Sequence, residues 1–174
     1  MKKLILIICI LMMINPVYAG LIGDFYQNEQ YGCSMNGYGW KADLSGKKKL
    51  ISFKNEDDGI SEVSLDVVPA KKFGAENAKQ IAIARIEAYD SWMYVGGRQM
   101  EQWEIGNANA ADGFIVMYSK NLFSKTSGTI KLIVTEKYYM KGGNAYMVTI
   151  LTTSQAWYSV KSTLLKIANS FKIT

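Results

Sequence analysis

The C-terminal segment carries the most regular pattern of the chain, and this pattern limits what the preceding residues can form. Its apolar residues recur at intervals of three and four and draw one stripe on a helix. Thr153 or Ser154 is a suitable N-cap for that helix. A helix with one apolar face has to bury that face, so we expect it to lie across a sheet. The stripe consists of Trp157, Val160, Leu164, Ile167 and Phe171.

Short apolar segments bounded by Gly, Asn or Ser supply the strands of such a sheet. Val63, Leu65 and Val67 alternate with other residues, as is typical of a strand with one buried face. Asn36-Gly37 predicts a hairpin turn between the first two segments, and Gly142-Gly143-Asn144 predicts one between the last two. The predicted strands cover residues 31–35, 38–43, 50–54, 60–68, 98–105, 113–119, 129–140 and 145–152.

One segment between these strands has a helical period instead. Its apolar residues are spaced four, four, three and four, which predicts a helix over 75–93 that ends before Gly96-Gly97. We find no internal repeat and no linker in the sequence. We therefore predict one domain over residues 20–174 with an α+β fold, an antiparallel sheet flanked by helices with the C-terminal helix packed on it. The helical stripe consists of Ala78, Ala82, Ile86, Tyr89 and Met93.

The first residues have the layout of a secretory signal peptide. Met1-Lys2-Lys3 is basic, residues 4–14 are apolar, and Val17-Tyr18-Ala19 resembles a cleavage site. The alternative is a buried or membrane helix, but the run is shorter than the roughly 20 residues that span a bilayer. We therefore predict a signal peptide over residues 1–19 with cleavage after Ala19, and a periplasmic or secreted product. We expect no transmembrane span in the mature chain and no lipid anchor, because no Cys stands at the cleavage point.

The composition excludes several kinds of chemistry. The sequence contains no His, which excludes Ser-His-Asp and Cys-His catalytic sets and His-ligated metals. Of the two cysteines, Cys9 lies in the predicted leader, so Cys33 cannot form an internal disulfide in the mature chain. The formal charge of +5 includes two leader lysines, and it is too small for a nucleic-acid footprint. We expect no metal, no cofactor, no catalytic site and no nucleic-acid partner.

Both ends of the mature chain resemble a known superfamily. Tyr31-Gly32-Cys33-Ser34-Met35 followed by Gly39-Trp40-Lys41 resembles the opening of PsbP-like domains in the Mog1/PsbP/DcrB superfamily. The closing Leu164–Lys172 segment, with its Ser170-Phe171 pair, resembles the final helix of the same superfamily. The resemblance implies an α/β sandwich, and it implies a binding or assembly factor rather than an enzyme.

Three features carry candidate chemistry with an alternative structural interpretation. Cys33 could act as a nucleophile or form an intermolecular disulfide, but without a His we favour a small buried residue. Glu56-Asp57-Asp58-Gly59 could hold Ca²⁺ or serve as paired glycosidase carboxylates, but it matches a solvated hairpin tip better. Gly46-Lys47-Lys48-Lys49 lacks the residues of a phosphate-binding loop, so we interpret it as a charged strand edge with the option of weak contact to anionic lipid.

The strongest candidate contact site combines Trp92, Tyr94 and Arg98 around Gly96-Gly97, because aromatic residues and Arg are enriched in binding surfaces. Its alternative is that these residues only cover the edge of the sheet. For the whole protein we expect an exported, non-enzymatic domain with a protein partner in the cell envelope. A small-ligand or lipid-binding periplasmic protein is the alternative, and a hydrolase that uses carboxylates alone is the third hypothesis.

Overall fold

The structure is a computed structural model and describes residues 19–46, 49–89, 92–109, 112–124 and 128–174. The predicted leader lies outside these residues except for Ala19, which begins the first strand. The helices are α1 (Ala78–Glu87), α2 (Gln102–Ile105) and α3 (Trp157–Asn169). The strands are β1 (Ala19–Ile22), β2 (Phe25–Asn28), β3 (Cys33–Asn36), β4 (Lys41–Asp43), β5 (Ile51–Lys54), β6 (Glu62–Pro69), β7 (Met93–Gln99), β8 (Gly113–Ser124), β9 (Gly128–Lys141), β10 (Asn144–Thr153) and β11 (Lys172–Ile173).

The described strands form two antiparallel sheets. The large sheet has seven strands in the order β4-β5-β6-β10-β9-β8-β7, and the small one has four in the order β1-β2-β3-β11. The C-terminal strand β11 pairs with β3, so the end of the chain completes the sheet that its beginning starts. The observed architecture confirms the predicted α+β fold with an antiparallel sheet flanked by helices.

Helices cover both faces of the large sheet. Helix α3 packs on one face over β6 and β10 and also contacts β3, whereas α1 packs on the other face over β8 and β9. Leu164 and Ile167 belong to the predicted apolar stripe, and both are fully buried on the side of α3 that faces the sheet. The helix begins at Trp157, later than a cap at Thr153 or Ser154 would give, although the Thr153 hydroxyl accepts a hydrogen bond from the Ala156 N–H at 3.0 Å. The core accordingly consists of two apolar clusters, one on each face of the sheet.

The hairpin between β9 and β10 confirms its predicted turn. Lys141 and Asn144 are paired across it, and Gly142 and Gly143 between them have φ values of 58° and 77°. Both angles lie in the left-handed region, which glycine adopts without the strain that a Cβ causes. The turn sets the register that carries Tyr139 opposite Tyr146 on the α3 face.

The predicted hairpin at Asn36-Gly37 is wrong. Strand β3 before it belongs to the small sheet and β4 after it to the large sheet, so the segment crosses between sheets. A Cβ on Gly37 would overlap the ring of the buried Phe53. The glycine is therefore required by close packing at the crossover rather than by a two-residue turn.

The segment after Pro69 also differs from the prediction. Helix α1 begins at Ala78 because the Asn77 side chain accepts the Gln80 N–H at 3.0 Å, and it ends at Glu87 rather than reaching Met93. Met93 begins strand β7, in which Gly96 and Gly97 pair with Met117 and Val116 of β8 instead of breaking a helix.

The predicted strand over 98–105 is likewise replaced by the end of β7 and the short helix α2. The Glu101 side chain accepts an N–H of this turn, and the Glu104 side chain accepts the Glu101 N–H at 3.1 Å, which is the capping-box arrangement. Within the residues described here, no helix is long and apolar enough to cross a membrane.

Candidate functional site

A cleft of about 340 Å³ opens on the face of the large sheet that α3 covers. Its floor is formed by β8 and β9, one wall by the C-terminal end of α3, and the other wall by α2 and the turn after it. The lining residues are Met100, Trp103, Glu104, Ile105, Gly106, Asn107, Ile115, Lys137, Tyr139, Leu165, Ala168, Asn169 and Phe171. The volume lies in the range of small-molecule pockets, near its lower end.

Lys137 is the unusual residue of this cleft. Its side chain comes from the floor strand β9, only 7% of the residue is exposed, and its Nζ donates a hydrogen bond to the Asn169 Oδ1 at 2.6 Å. None of the ion pairs among the described residues includes it. Burial lowers the pKa of Lys137, because a desolvated ammonium is disfavoured, while Glu104 acts in the opposite direction. A buried cation without a carboxylate partner is a candidate site for an anionic ligand.

Glu104 is the acidic residue in the lining of the cleft, and it is already paired with an arginine. Both oxygens of Glu104 accept hydrogen bonds from the Arg98 guanidinium, which reaches across from β7. These bonds hold the pKa of Glu104 below its usual range. Glu104 is thereby paired with Arg98, and Lys137 makes none of the ion pairs found among the described residues.

The mouth of the cleft carries an exposed aromatic side chain. Trp103 on α2 is 75% exposed, and its Nε1–H donates to the Glu101 Oε2 at 2.6 Å. The buried Ile105 anchors the same turn to the core. The indole therefore stands on a turn that is fixed both by its caps and by its packing.

The structure divides the predicted contact residues between two faces of the sheet. Trp92 packs edge-on against Tyr118 with ring centroids 5.0 Å apart, and Lys120 Nζ lies 5.0 Å from its ring. Tyr94 is paired with Tyr118 on the same face and is exposed, whereas Arg98 is paired with Ile115 on the cleft side. Arg98 lies beside the cleft through its bonds to Glu104, and a role of Arg98, Trp92 and Tyr94 in partner binding stays a prediction.

A second polar cluster lies buried on the opposite face of the sheet. Glu136 is 1% exposed and accepts hydrogen bonds from the hydroxyls of Tyr138 and Thr149 and from Arg85 of α1, the last at 2.8 Å. Arg85 also donates to the Tyr89 hydroxyl at 2.7 Å. The cluster joins α1 to the sheet through these bonds, which is the behaviour of a structural anchor.

Cys33 occupies the position that its structural interpretation predicts. It is free, buried in β3 and 2% exposed, and burial raises the pKa of its thiol to about 12. A thiol with that pKa is protonated at neutral pH and is a poor nucleophile.

The acidic segment forms the turn between β5 and β6, as predicted for a hairpin tip. Asp58 accepts the backbone N–H groups of Ile60 and Ser61 at 2.9 and 2.7 Å, and Glu56 pairs with Lys41 at 2.5 Å. Within the described part of the chain, no three His, Cys, Asp or Glu residues are grouped to hold a metal ion. Of the basic run, Lys47 and Lys48 lie outside the described residues and Lys49 pairs with Glu62.

Sequence reasoning did not identify Lys137, although a signal for it was present. Glu136 and Lys137 are adjacent charges inside the predicted strand 129–140, and adjacent strand residues point to opposite faces. In a sheet covered by helices on both faces, the two side chains of such a pair have to lie under different helices. In this structure Glu136 lies on the face covered by α1, and Lys137 lies on the face covered by α3.

Comparisons with known proteins indicate the fold to which this arrangement belongs. No family model matches the sequence, and no curated protein matches it. The solution structure of cyanobacterial PsbP (CyanoP) from Synechocystis sp. PCC 6803 is similar over 93% of this chain and 99% of that one, with 11% identity and a TM-score of 0.56. The Ran-binding protein Mog1p of Saccharomyces cerevisiae is similar over 88% and 96% of the two chains, with 9% identity and a TM-score of 0.50.

A protein from Bacteroides thetaiotaomicron VPI-5482 is similar over 88% of this chain but only 49% of its own, with 13% identity and a TM-score of 0.50. All three likenesses cover most of the present chain at identities too low to carry over individual residues. The antiparallel sheet flanked by helices, with the C-terminal helix packed on it, agrees with the expectation from the terminal motifs. The chain therefore has the fold of the cyanobacterial PsbP and Mog1p structures.

Proposed function

We propose that the protein is an exported, non-enzymatic binding domain, formed by residues 20–174, which recognises another protein of the cell envelope through the cleft at Lys137. The observation that carries this proposal is the exposed Trp103 at the mouth of a cleft with a buried cation on its floor. Export rests on the basic, apolar and small-residue order of residues 1–19.

The residues at the mouth of the cleft are of the kind that bind a protein partner. Tryptophan is enriched among the residues that dominate binding energy at protein interfaces, and such residues sit beside pockets that exclude water. Trp103 is held by the Glu101 carboxylate and by the caps of α2, so little conformational entropy is lost when a partner covers it. Arg98 and Glu104 add a polar rim next to the indole.

A binding role also agrees with the chemistry of the chain and with the fold. The sequence lacks His, and the thiol of Cys33 is buried with a raised pKa. The similar Mog1p structure is that of a Ran-binding protein, so one protein with this fold acts by binding. This support is an analogy at the level of the fold.

A small ligand is the second candidate, and the closed floor of the cleft favours it. A volume of about 340 Å³ between apolar walls, with Lys137 and Asn169 as polar groups, has the design of a small-molecule site. Native mass spectrometry of the exported protein tests this alternative. A mass above that of the polypeptide supports a retained ligand, and the bare polypeptide mass contradicts one.

The experiment for the protein partner places a photo-crosslinking amino acid at Trp103 and, as a matched control, at Tyr158. Tyr158 is 89% exposed and lies near the start of α3, outside the cleft. We expect one envelope protein to be crosslinked from position 103 and not from position 158. The Trp103→Ala variant should lose this partner in a pull-down, and Tyr158→Ala should keep it.

The same crosslinks from both positions, or none from position 103, would contradict the proposal. Fractionation of cells that express the full chain tests export separately. A product that is shortened at Ala19 and released with the periplasm supports it, and an intact chain in the cytoplasm contradicts it.

A further inference from the structure

The cleft at Lys137 has a charge and a wall chemistry that select one class of ligand. Building on the proposed function, we propose that it binds a carboxylate attached to an apolar group, with the Lys137 ammonium as counter-ion and the Asn169 amide as second donor. The carboxylate belongs either to a protein partner or to a small organic acid.

Lys137 has donors to spare for such a group. An ammonium carries three N–H bonds, and the hydrogen bond to Asn169 Oδ1 uses one of them. Among the described residues that bond is the one polar contact of Nζ, and the residue lines the cleft. A bound anion would provide the missing charge for a cation that is more than nine-tenths buried.

Asn169 is oriented to help. Its Oδ1 accepts a hydrogen bond from the Lys137 ammonium, so its NH₂ group is the half of the amide that remains to donate to a ligand oxygen. Asn169 is the last residue of α3 and is itself exposed. The two donors therefore stand side by side at the edge where the floor of the cleft meets its wall.

The charge balance favours a monoanion over a dianion. Glu104 also lines the cleft, and its carboxylate is compensated by Arg98. The lining thus offers one cation that makes no ion pair among the described residues, that of Lys137. A carboxylate matches this charge, whereas a phosphate dianion would bring a second negative charge towards Glu104.

The walls favour an apolar substituent on that carboxylate. Met100 and Ile105 line one side, Leu165 and Phe171 line the other, and Ile115 of β8 lies on the floor. A small inorganic anion or acetate would leave this apolar surface uncovered, so a longer chain gains affinity from its burial.

Isothermal titration of the full chain tests the proposal with two matched pairs of probes. N-acetyl-leucine represents the carboxyl end of a protein partner and hexanoate represents a small organic acid; N-acetyl-leucinamide and hexanamide are their neutral controls. We expect at least one acid to bind about tenfold more tightly than its amide, because hydrogen bonds to charged groups are the strong ones. The acid with the larger advantage identifies the source of the carboxylate.

Variants assign the effect to the site. Lys137→Met should abolish the preference for the acid, and Asn169→Ala should weaken acid binding several-fold. Lys166→Met is the control, because it removes an exposed lysine of α3, the helix that carries Asn169, outside the cleft. It should leave the preference for the acid unchanged. Circular dichroism establishes that each variant is folded, and Lys137→Gln replaces Lys137→Met if the latter is not.

Equal binding of acid and amide, tighter binding of hexyl phosphate than of hexanoate, or an unchanged preference in Lys137→Met would overturn the ligand class. This outcome is distinct from failure of the proposed function. If Trp103 crosslinks a partner that Lys137→Met still binds, the protein partner stands and the carboxylate fails. If acids bind through Lys137 but Trp103 crosslinks nothing, the ligand class stands and the protein partner fails.

Discussion

Replacing Arg85 by Met tests how burial changes the contribution of an Arg-Glu pair to stability, because the described residues include one buried and one exposed pair of this kind. Arg85 belongs to α1 and has 23% of its side chain exposed, and its guanidinium is 2.8 Å from the buried carboxylate of Glu136. Removing one partner of a buried ion pair costs about 3–5 kcal/mol because the other charge stays buried. The partial exposure of Arg85 places our expectation near the lower end, about 3 kcal/mol. For a domain of this size that corresponds to a fall in Tm of about 6–12 °C.

Arg98→Met is the matched control, because Arg98 makes the same kind of pair with Glu104 but has 55% of its side chain exposed. Exposed pairs are screened by water, so this variant should change the free energy of unfolding far less. Urea denaturation followed by circular dichroism measures both variants. Adding Glu136→Gln to Arg85→Met should restore part of the loss, since the amide leaves no unpaired charge. Equal losses in the two single variants, or no recovery in the double variant, would refute the reasoning.

Three further predictions concern single positions. Gly37→Ala should destabilise the protein by about 1–3 kcal/mol because its Cβ would overlap the Phe53 ring, whereas Gly20→Ala, with open space around its Cβ, should have little effect in the same denaturation assay. Cys33, in a Cys9→Ser background, should react with a thiol reagent at pH 8 only when the protein is unfolded, since burial raises its pKa to about 12; rapid labelling of the folded chain would contradict this. Lys137→Met should stabilise the protein by about 1 kcal/mol at pH 7. Burial lowers the pKa of Lys137, so the penalty on its charged form is present at neutral pH and lost as pH rises through the lowered pKa towards 10.5; the advantage of the variant in Tm should shrink over that range, and a constant advantage would disprove it.

The periodic parts of the fold could be predicted from the sequence, since they depend on local pattern. Two predictions of this kind are confirmed: the buried stripe through Leu164 and Ile167 and the turn at Gly142-Gly143. Each follows from residues that are close together in the sequence. Met93 fits the helical stripe of α1 by spacing alone, but it belongs to β7, because pairing with β8 outweighs local periodicity there. The sequence pattern predicts a turn at Gly37 and the end of a helix at Gly97. Their real requirement is space beside Phe53 and Phe114, which depends on residues remote in sequence.

The candidate site could not be predicted from local sequence patterns either, because it is formed by residues that are remote from one another in the sequence. The cleft joins α2, β9 and the end of α3, three elements that are separated along the chain. Arg98 was predicted as a contact residue on its residue type, and the structure places it beside the cleft through Glu104. Trp103 was not singled out, because its segment was predicted to be a strand. An exposed indole on a capped turn becomes recognisable only when α2 is known.

The adjacent pair Glu136 and Lys137 also determines how β9 can be threaded between its neighbours. A slip of β9 by a single residue would exchange the two sides of the strand. A slip in one direction would place Lys137 at the position of Glu136, against Arg85 of α1, and a slip in the other direction would place Glu136 at the position of Lys137, in the cleft beside Glu104. Either misplacement brings like charges together away from water, where repulsion is strong. Two neighbouring residues of opposite charge therefore favour one register of β9 between β8 and β10, and they disfavour the registers shifted by one residue during folding.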